Sequence, residues 1–90
     1  MNAQQAPIHE PSDEVLMARV RQDDRVAYEQ LFARWRQPLY RYLHRRTGSA
    51  SLADDAFQET WLKVYKHRAR FDPARRFKPW LYRIATNGGL

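Results

Sequence analysis

The ninety-residue sequence contains no cysteine, which rules out a disulfide framework and a cysteine-ligated zinc site and suits a chain working in a reducing compartment. It has only three glycines, Gly48 and the pair Gly88-Gly89, so no glycine-rich loop can cradle a phosphate. No apolar run is long enough to span a bilayer. The opening MNAQQAPIHEPSDE lacks both a basic cluster and an apolar stretch, so no signal peptide is expected and the chain reads as cytoplasmic. Acid is nearly missing from the last third. Residues 61–90 hold eight Lys/Arg and one acid, Asp72, whereas residues 1–60 hold eight Lys/Arg and nine Asp/Glu. Excess positive charge at one end points to a polyanion there, with nucleic acid ahead of an anionic membrane or an acidic protein groove.

What is present is aromatic and helical. Twelve aromatics in one small domain supply enough apolar surface for a single compact core. The stretch Leu52 to Asn87 organises the rest. Ala53, Ala56, Phe57, Thr60, Trp61, Val64 and Tyr65 recur on one helical face. Ser51 is placed as its N-cap, and Asp54 and Asp55 fall near the positive end of the helix dipole. Asp55, Gln58, Glu59 and Leu62 make a second stripe on the opposite side, with a large aliphatic residue among polar ones.

In chain order, residues 1–11 read as a disordered lead-in. Ser12 starts a short helix with Val15, Leu16 and Val20 on its apolar face, ending around Gln22 to Asp24. Asp24 or Arg25 opens a longer one carrying Tyr28, Leu31, Phe32, Trp35, Leu39, Tyr42 and Leu43. Pro38 interrupts it, yet the apolar phase continues from Trp35 to Leu39, which predicts one kinked helix. Gly48 stops it in a left-handed cap. The third helix is predicted from Ser51 to about Arg70, followed by a basic turn, Phe71 to Arg76, where Asp72-Pro73 disfavours helix. A fourth helix has Pro79 in its first turn, Phe77, Leu81, Ile84 and Ala85 inward, Tyr82, Arg83 and Thr86 outward, and Asn87 beside Trp80 at the edge. The expected architecture is all-α, a compact bundle of three to four helices around one core: a short first, a long kinked second, a long third and a short fourth.

Catalytic and metal chemistry find no matching pattern. His9, His44 and His67 are scattered, and no second ligand shares a helix face with any of them, so surface histidines are favoured over a metal site. No Ser, His or Lys accompanies Asp54, Asp55 and Glu59 to make acid-base machinery. No enzyme, metal, cofactor or small-molecule substrate is expected. The Asp55, Gln58, Glu59, Leu62 stripe taken alone fits an ordinary wet helix face with one stray leucine. The interleaving of Lys63, Lys66, Arg68, Arg70, Arg75, Arg76, Lys78 and Arg83 with Tyr65, Phe71, Phe77, Trp80 and Tyr82 suits an unpaired nucleic-acid strand, phosphates on cations and bases on rings. The competing reading puts the rings in the core with the cations merely solvated around them.

Asp54-Asp55-Ala56-Phe57-Gln58-Glu59-Thr60, then Phe71, then Phe77-Lys78-Pro79-Trp80-Leu81-Tyr82-Arg83-Ile84-Ala85-Thr86-Asn87, resembles conserved region 2 of bacterial sigma factors of the extracytoplasmic-function class. Asp24, Ala27, Tyr28, Leu31 and Leu16 fit the same family, so the resemblance covers residues 12–87. It implies a helical domain over 12–90 that binds core RNA polymerase and promoter DNA. By that resemblance, Asp55, Gln58, Glu59 and Leu62 dock on the clamp helices of the beta-prime subunit. The loop from Phe71 to Arg76 and the fourth helix, including Thr86, read the non-template strand of the minus-ten element, with Asn87 at the flipped base; Lys63, Arg75, Arg76, Lys78 and Arg83 are the expected phosphate contacts by charge and position. The family's second helix-turn-helix domain does not follow within these ninety residues, and an isolated region 2 is the expectation. An anti-sigma protein is a further possible partner. The alternative is a nonspecific basic helical module that binds nucleic acid or a regulatory protein.

Overall fold

The computed structural model describes residues 10–87 as four α-helices and one 3-10 turn, with no strand among them. Helix α1 spans Asp13–Arg21, α2 Arg25–Thr47, α3 Ala50–Lys66 and α4 Phe77–Asn87; the 3-10 turn is Arg68–Arg70. The all-α bundle is as expected. Most of the lead-in expected over 1–11, and the two glycines after Asn87, lie outside the described residues. Pro11 is held: its carbonyl accepts a hydrogen bond from Arg34 Nη1 at 3.1 Å.

Each helix start shows its chemistry. The Ser12 hydroxyl accepts from Val15 N–H at 3.1 Å, and the Asp24 carboxylate accepts from Ala27 N–H at 3.1 Å, satisfying donors that a helix's first turn leaves without partners. Between α1 and α2, Asp23 takes a left-handed φ of 69°, which a short polar side chain tolerates. Helix α2 runs unbroken through Pro38, which sits on the exposed side where water can satisfy the carbonyl left without a donor. It ends at Gly48, φ 70°, whose N–H donates to the His44 carbonyl at 2.8 Å.

Helix α3 departs from expectation at both ends. Ser49, not Ser51, is the N-cap, its hydroxyl accepting from Leu52 N–H at 3.3 Å. The left-handed turn at Gly48 delivers the chain to helical geometry two residues earlier. Asp54 and Asp55 consequently lie beyond the first turn, so the dipole argument for them lapses. The α-helix stops at Lys66, and the Arg68–Arg70 turn replaces its expected last residues.

The core is built from Leu16, Met17 and Val20 of α1, Ala27, Leu31, Leu39 and Leu43 of α2, Ala53, Trp61 and Val64 of α3, Phe71 of the loop, and Phe77, Trp80, Leu81 and Ile84 of α4. Helix α2 packs on α1 and α3, and α4 packs on α3 and α1. An aromatic ladder joins α2 to α3. Tyr28 meets Trp61 at 6.1 Å, Phe32 meets Trp61 at 5.2 Å and Phe57 at 5.8 Å, and Tyr40 meets Phe57 at 5.9 Å, all edge to face. That is the favoured arrangement for ring quadrupoles. The Tyr28 hydroxyl donates to the Trp61 carbonyl at 2.8 Å, and burial, then the neighbouring Tyr65, push its pKa up to about 12.

Three side chains expected on particular faces lie elsewhere. Val15 is exposed and Met17 is buried in its place, because α1 turns its Leu16–Met17–Val20 edge to the bundle. Tyr65 is 39% exposed at the end of α3, its ring edge to face with Tyr28 of α2 at 5.8 Å; its hydroxyl donates to the Asp23 carboxylate. Trp80, expected at an edge, is buried under the returning loop.

Candidate nucleic-acid interface

The loop between the 3-10 turn and α4 is shaped by Asp72, whose carboxylate accepts from Ala74 N–H at 2.9 Å and whose carbonyl accepts from Arg75 N–H at 2.9 Å. This closed turn fits the Asp-Pro sequence. Phe71 before the turn and Phe77 after it meet at 5.9 Å, and Phe71 meets Trp80 at 5.2 Å. The loop is thereby stitched to α4 by three buried rings. What it leaves open is a concavity of about 640 Å³ lined by Arg70, Phe71, Asp72, Arg75, Arg76, Pro79, Trp80 and Arg83. Four guanidinium groups face one hollow. Only Arg75 has an acidic neighbour, Asp72 at 3.8 Å; Arg70, Arg76 and Arg83 have none among the described residues.

Asn87 is exposed and lies one turn beyond Arg83 on the same edge of α4, next to the hollow and not in its lining. Thr86 is half-buried and hydrogen-bonds the Tyr42 hydroxyl at 2.7 Å. Lys78 is exposed, its ammonium 5.9 Å from the rings of both Trp35 and Tyr82. The base-stacking role expected of Phe71 needs correcting: at 2% exposure its ring has no free face, and it anchors the loop instead. Arg70 and Trp80, part of the basic-aromatic interleaving but not among the contacts implied by the family resemblance, also line the hollow. The periodicity of α3 gave no sign that Arg70 leaves the helix to face α4. His67, just before the 3-10 turn, is held below its usual pKa by desolvation and by the charges of Arg70, Lys66 and Lys63.

On the other side of α3, Asp55, Gln58, Glu59 and Leu62 are all exposed, Leu62 at 71%. Leu52, 55% exposed, adds a second aliphatic residue to that stripe; its spacing from Asp55 and Glu59 could have revealed it. Leu62 also lines a shallow concavity of about 450 Å³ with Asp23, Arg25, Tyr28 and Tyr65. The two expected contact sets meet at one point. Glu59 and Lys63 form an ion pair at 3.1 Å and share a small hollow with Thr60, Ile84 and Thr86. Lys63 is therefore already partnered, while the three free arginines are not. No cluster of metal-ligating side chains occurs among the described residues, and no helix there is long and apolar enough to cross a membrane.

Comparison with protein-family models matches residues 31–89 to Sigma-70 region 2. The chain belongs to the sigma-70 region 2 family. It is 41% identical over 71 residues to RNA polymerase sigma factor CarQ of Myxococcus xanthus, covering 79% of this chain and 41% of that protein. It is 34% identical over 68 residues to ECF RNA polymerase sigma factor SigW of Bacillus subtilis, covering 76% of this chain and 36% of that one. With ECF RNA polymerase sigma factor SigM of Mycobacterium tuberculosis it shares 34% identity over 82 residues, 91% of this chain and 42% of its relative. This sigma-70 region 2 chain thus spans about two-fifths of the length of the relatives it matches, and the resemblance to the extracytoplasmic-function class agrees with the names of SigW and SigM.

Proposed function

We propose that this region 2 chain acts in transcription initiation, docking on the beta-prime clamp helices of core RNA polymerase through the outer face of α3 and reading the non-template strand of the minus-ten element with its loop and α4. The observation that carries the reading is the arginine-lined hollow running along α4 toward Arg83 and Asn87. Extracting a base from a duplex costs a few kcal/mol of stacking and pairing, which a preformed pocket must offset. Arg70, Arg76 and Arg83 supply phosphate contacts. Guanidinium planes supply surfaces against which a base can lie. The Asn87 amide both donates and accepts, as reading a base edge requires. With Phe71 and Trp80 closed into the core, shape and guanidinium stacking carry the base, and ring intercalation does not.

The docking half of the proposal rests on Leu52 and Leu62, two aliphatic side chains exposed among Asp55, Gln58 and Glu59. Apolar anchors inside a polar rim suit a protein partner. An anti-sigma protein covering the same surfaces is compatible with this reading.

Asp55→Ala combined with Gln58→Ala should weaken capture of core polymerase while leaving helical circular dichroism intact; undiminished capture would remove the docking assignment. Asn87→Ala should reduce discrimination among single-stranded minus-ten sequences more than total binding. An equal loss on every sequence favours the second reading, a phosphate-only binder, which the clustering of four arginines around one hollow also permits.

A further inference from the structure

Helix α1 contributes nothing to the lining of the arginine hollow, yet it touches both ends of the loop that forms it. Glu14 Oε2 accepts a hydrogen bond from Phe77 N–H at 2.7 Å, and Arg21 Nη1 donates to the Phe71 carbonyl at 3.4 Å. Glu14 and Arg21 are seven residues apart, which at 100° per residue leaves them within about 20° of one line along the helix. Phe77 opens α4, so its N–H is one of the donors that a helix cannot satisfy internally. A carboxylate there is favoured by charge-assisted hydrogen bonding and by the helix dipole. The Arg21 contact is long and correspondingly weaker. Between the two anchors lie only Asp72 to Arg76, the segment that presents Arg75 and Arg76. Asp13 accepts from Arg34 of α2 at 2.9 Å, so neighbouring acids of α1 hold different elements: Asp13 the long helix, Glu14 the loop.

We infer that α1 is the positioning element of the strand-reading loop, with Glu14 as its principal positioning residue: Glu14 and Arg21 hold the loop by its two ends and so set the spacing of the arginines around the hollow. The inference rests on the DNA-reading proposal above. A loop tied at only one end keeps its buried rings and loses its register against Arg83, because Phe71 and Phe77 fix depth and the two α1 contacts fix the ends.

The test uses the whole chain and two readouts, hydrogen exchange at the Phe77 amide without DNA, and the affinity ratio for a minus-ten single strand against a scrambled one. Glu14→Ala should lower Phe77 protection about tenfold, the order expected for one hydrogen bond to a charged acceptor, and should reduce the affinity ratio with helical circular dichroism retained. Glu14→Gln should restore most of both, since the amide oxygen can still accept. Asp13→Ala, which breaks the neighbouring α1–α2 ion pair, should leave both at the wild-type value. An affinity ratio unchanged in Glu14→Ala, or lost equally in Asp13→Ala, overturns the positioning role. A wild-type chain whose Phe77 protection depends on Glu14 but which prefers no strand overturns the DNA-reading proposal, and with it the use of the loop contacts in reading.

Discussion

Removing the partnerless arginines of the hollow should change how binding responds to salt, more tellingly than it changes binding at any one salt concentration. Each cation that neutralises a phosphate of a single strand contributes about −0.7 to the slope of log affinity against log salt. Arg70, Arg76 and Arg83 have no acidic partner among the described residues, whereas Arg75 has Asp72 at 3.8 Å. These three contacts contribute about −2.1 to the slope, so they alone should weaken binding about a hundredfold between 50 and 500 mM salt. Arg76→Ala with Arg83→Ala should make the slope shallower by about 1.4 and remove about twenty-five-fold of that loss. Asp72→Asn tests the opposite sense. An asparagine oxygen can still accept from Ala74 N–H and keep the turn, while Arg75 is released to a phosphate and the slope steepens by about 0.7. Fluorescence anisotropy of a labelled minus-ten single strand, titrated at several salt concentrations, measures all three. Parallel lines for the wild type and the double variant would refute the assignment of the hollow to the phosphate backbone, whatever the affinities.

Other outcomes follow from the packing. Phe71→Ala deletes a ring at 2% exposure that contacts both Phe77 and Trp80, so chemical denaturation should show a loss of about 3–5 kcal/mol; a loss under 1 kcal/mol would mean that the loop is not part of the core. Gly48→Ala meets no atom within 4 Å but must adopt φ 70°, so it should cost about 1–2 kcal/mol by the same assay, from backbone conformation alone. Tyr28 has a raised folded-state pKa of about 12, so its contribution to stability is fully present below its unfolded pKa, about 10, and is lost as pH rises from there toward 12. Tyr28→Phe should flatten that alkaline decline in melts from pH 9 to 11, and an unaltered decline would contradict the Tyr28–Trp61 assignment. His67 is shifted the other way. Its contribution is present above its unfolded pKa and falls as pH drops through that value toward the lower folded one, and His67→Asn should reduce this acid-side loss.

Much of the bundle was legible because helical periodicity reports which side chains share a face. Leu31, Leu39 and Leu43 could be placed in the core across Pro38 because the phase on either side of the proline agrees, and Gly48 could be placed as a stop because a left-handed residue favours glycine. The cap of α3 was misplaced because Ser49 and Ser51 are equally suitable capping side chains, and only the exit direction from Gly48 chooses between them. Tyr65 and Val15 were misplaced because periodicity says which residues are neighbours on a helix, and where that face meets another helix is decided by packing. The candidate site was legible in its charge and illegible in its assembly. Arg75, Arg76 and Arg83 stand out by composition, but Arg70 joins them only through the 3-10 turn, and Phe71 withdraws from them only because Phe77 and Trp80 close over it. The Glu14 contact to Phe77 spans 63 residues and the Arg21 contact to Phe71 spans 50, and no local pattern announces either.

On the proposed reading, polymerase and DNA meet different faces of one small bundle, bordering at the Glu59–Lys63 pair. Amide hydrogen exchange of the chain, first with a beta-prime clamp-helix fragment and then with a minus-ten single strand, addresses it directly. The first ligand should protect the α3 segment from Leu52 to Leu62, and the second the segment from Arg70 to Asn87. Protection of one and the same segment by both ligands, or of neither segment by its assigned ligand, would contradict it.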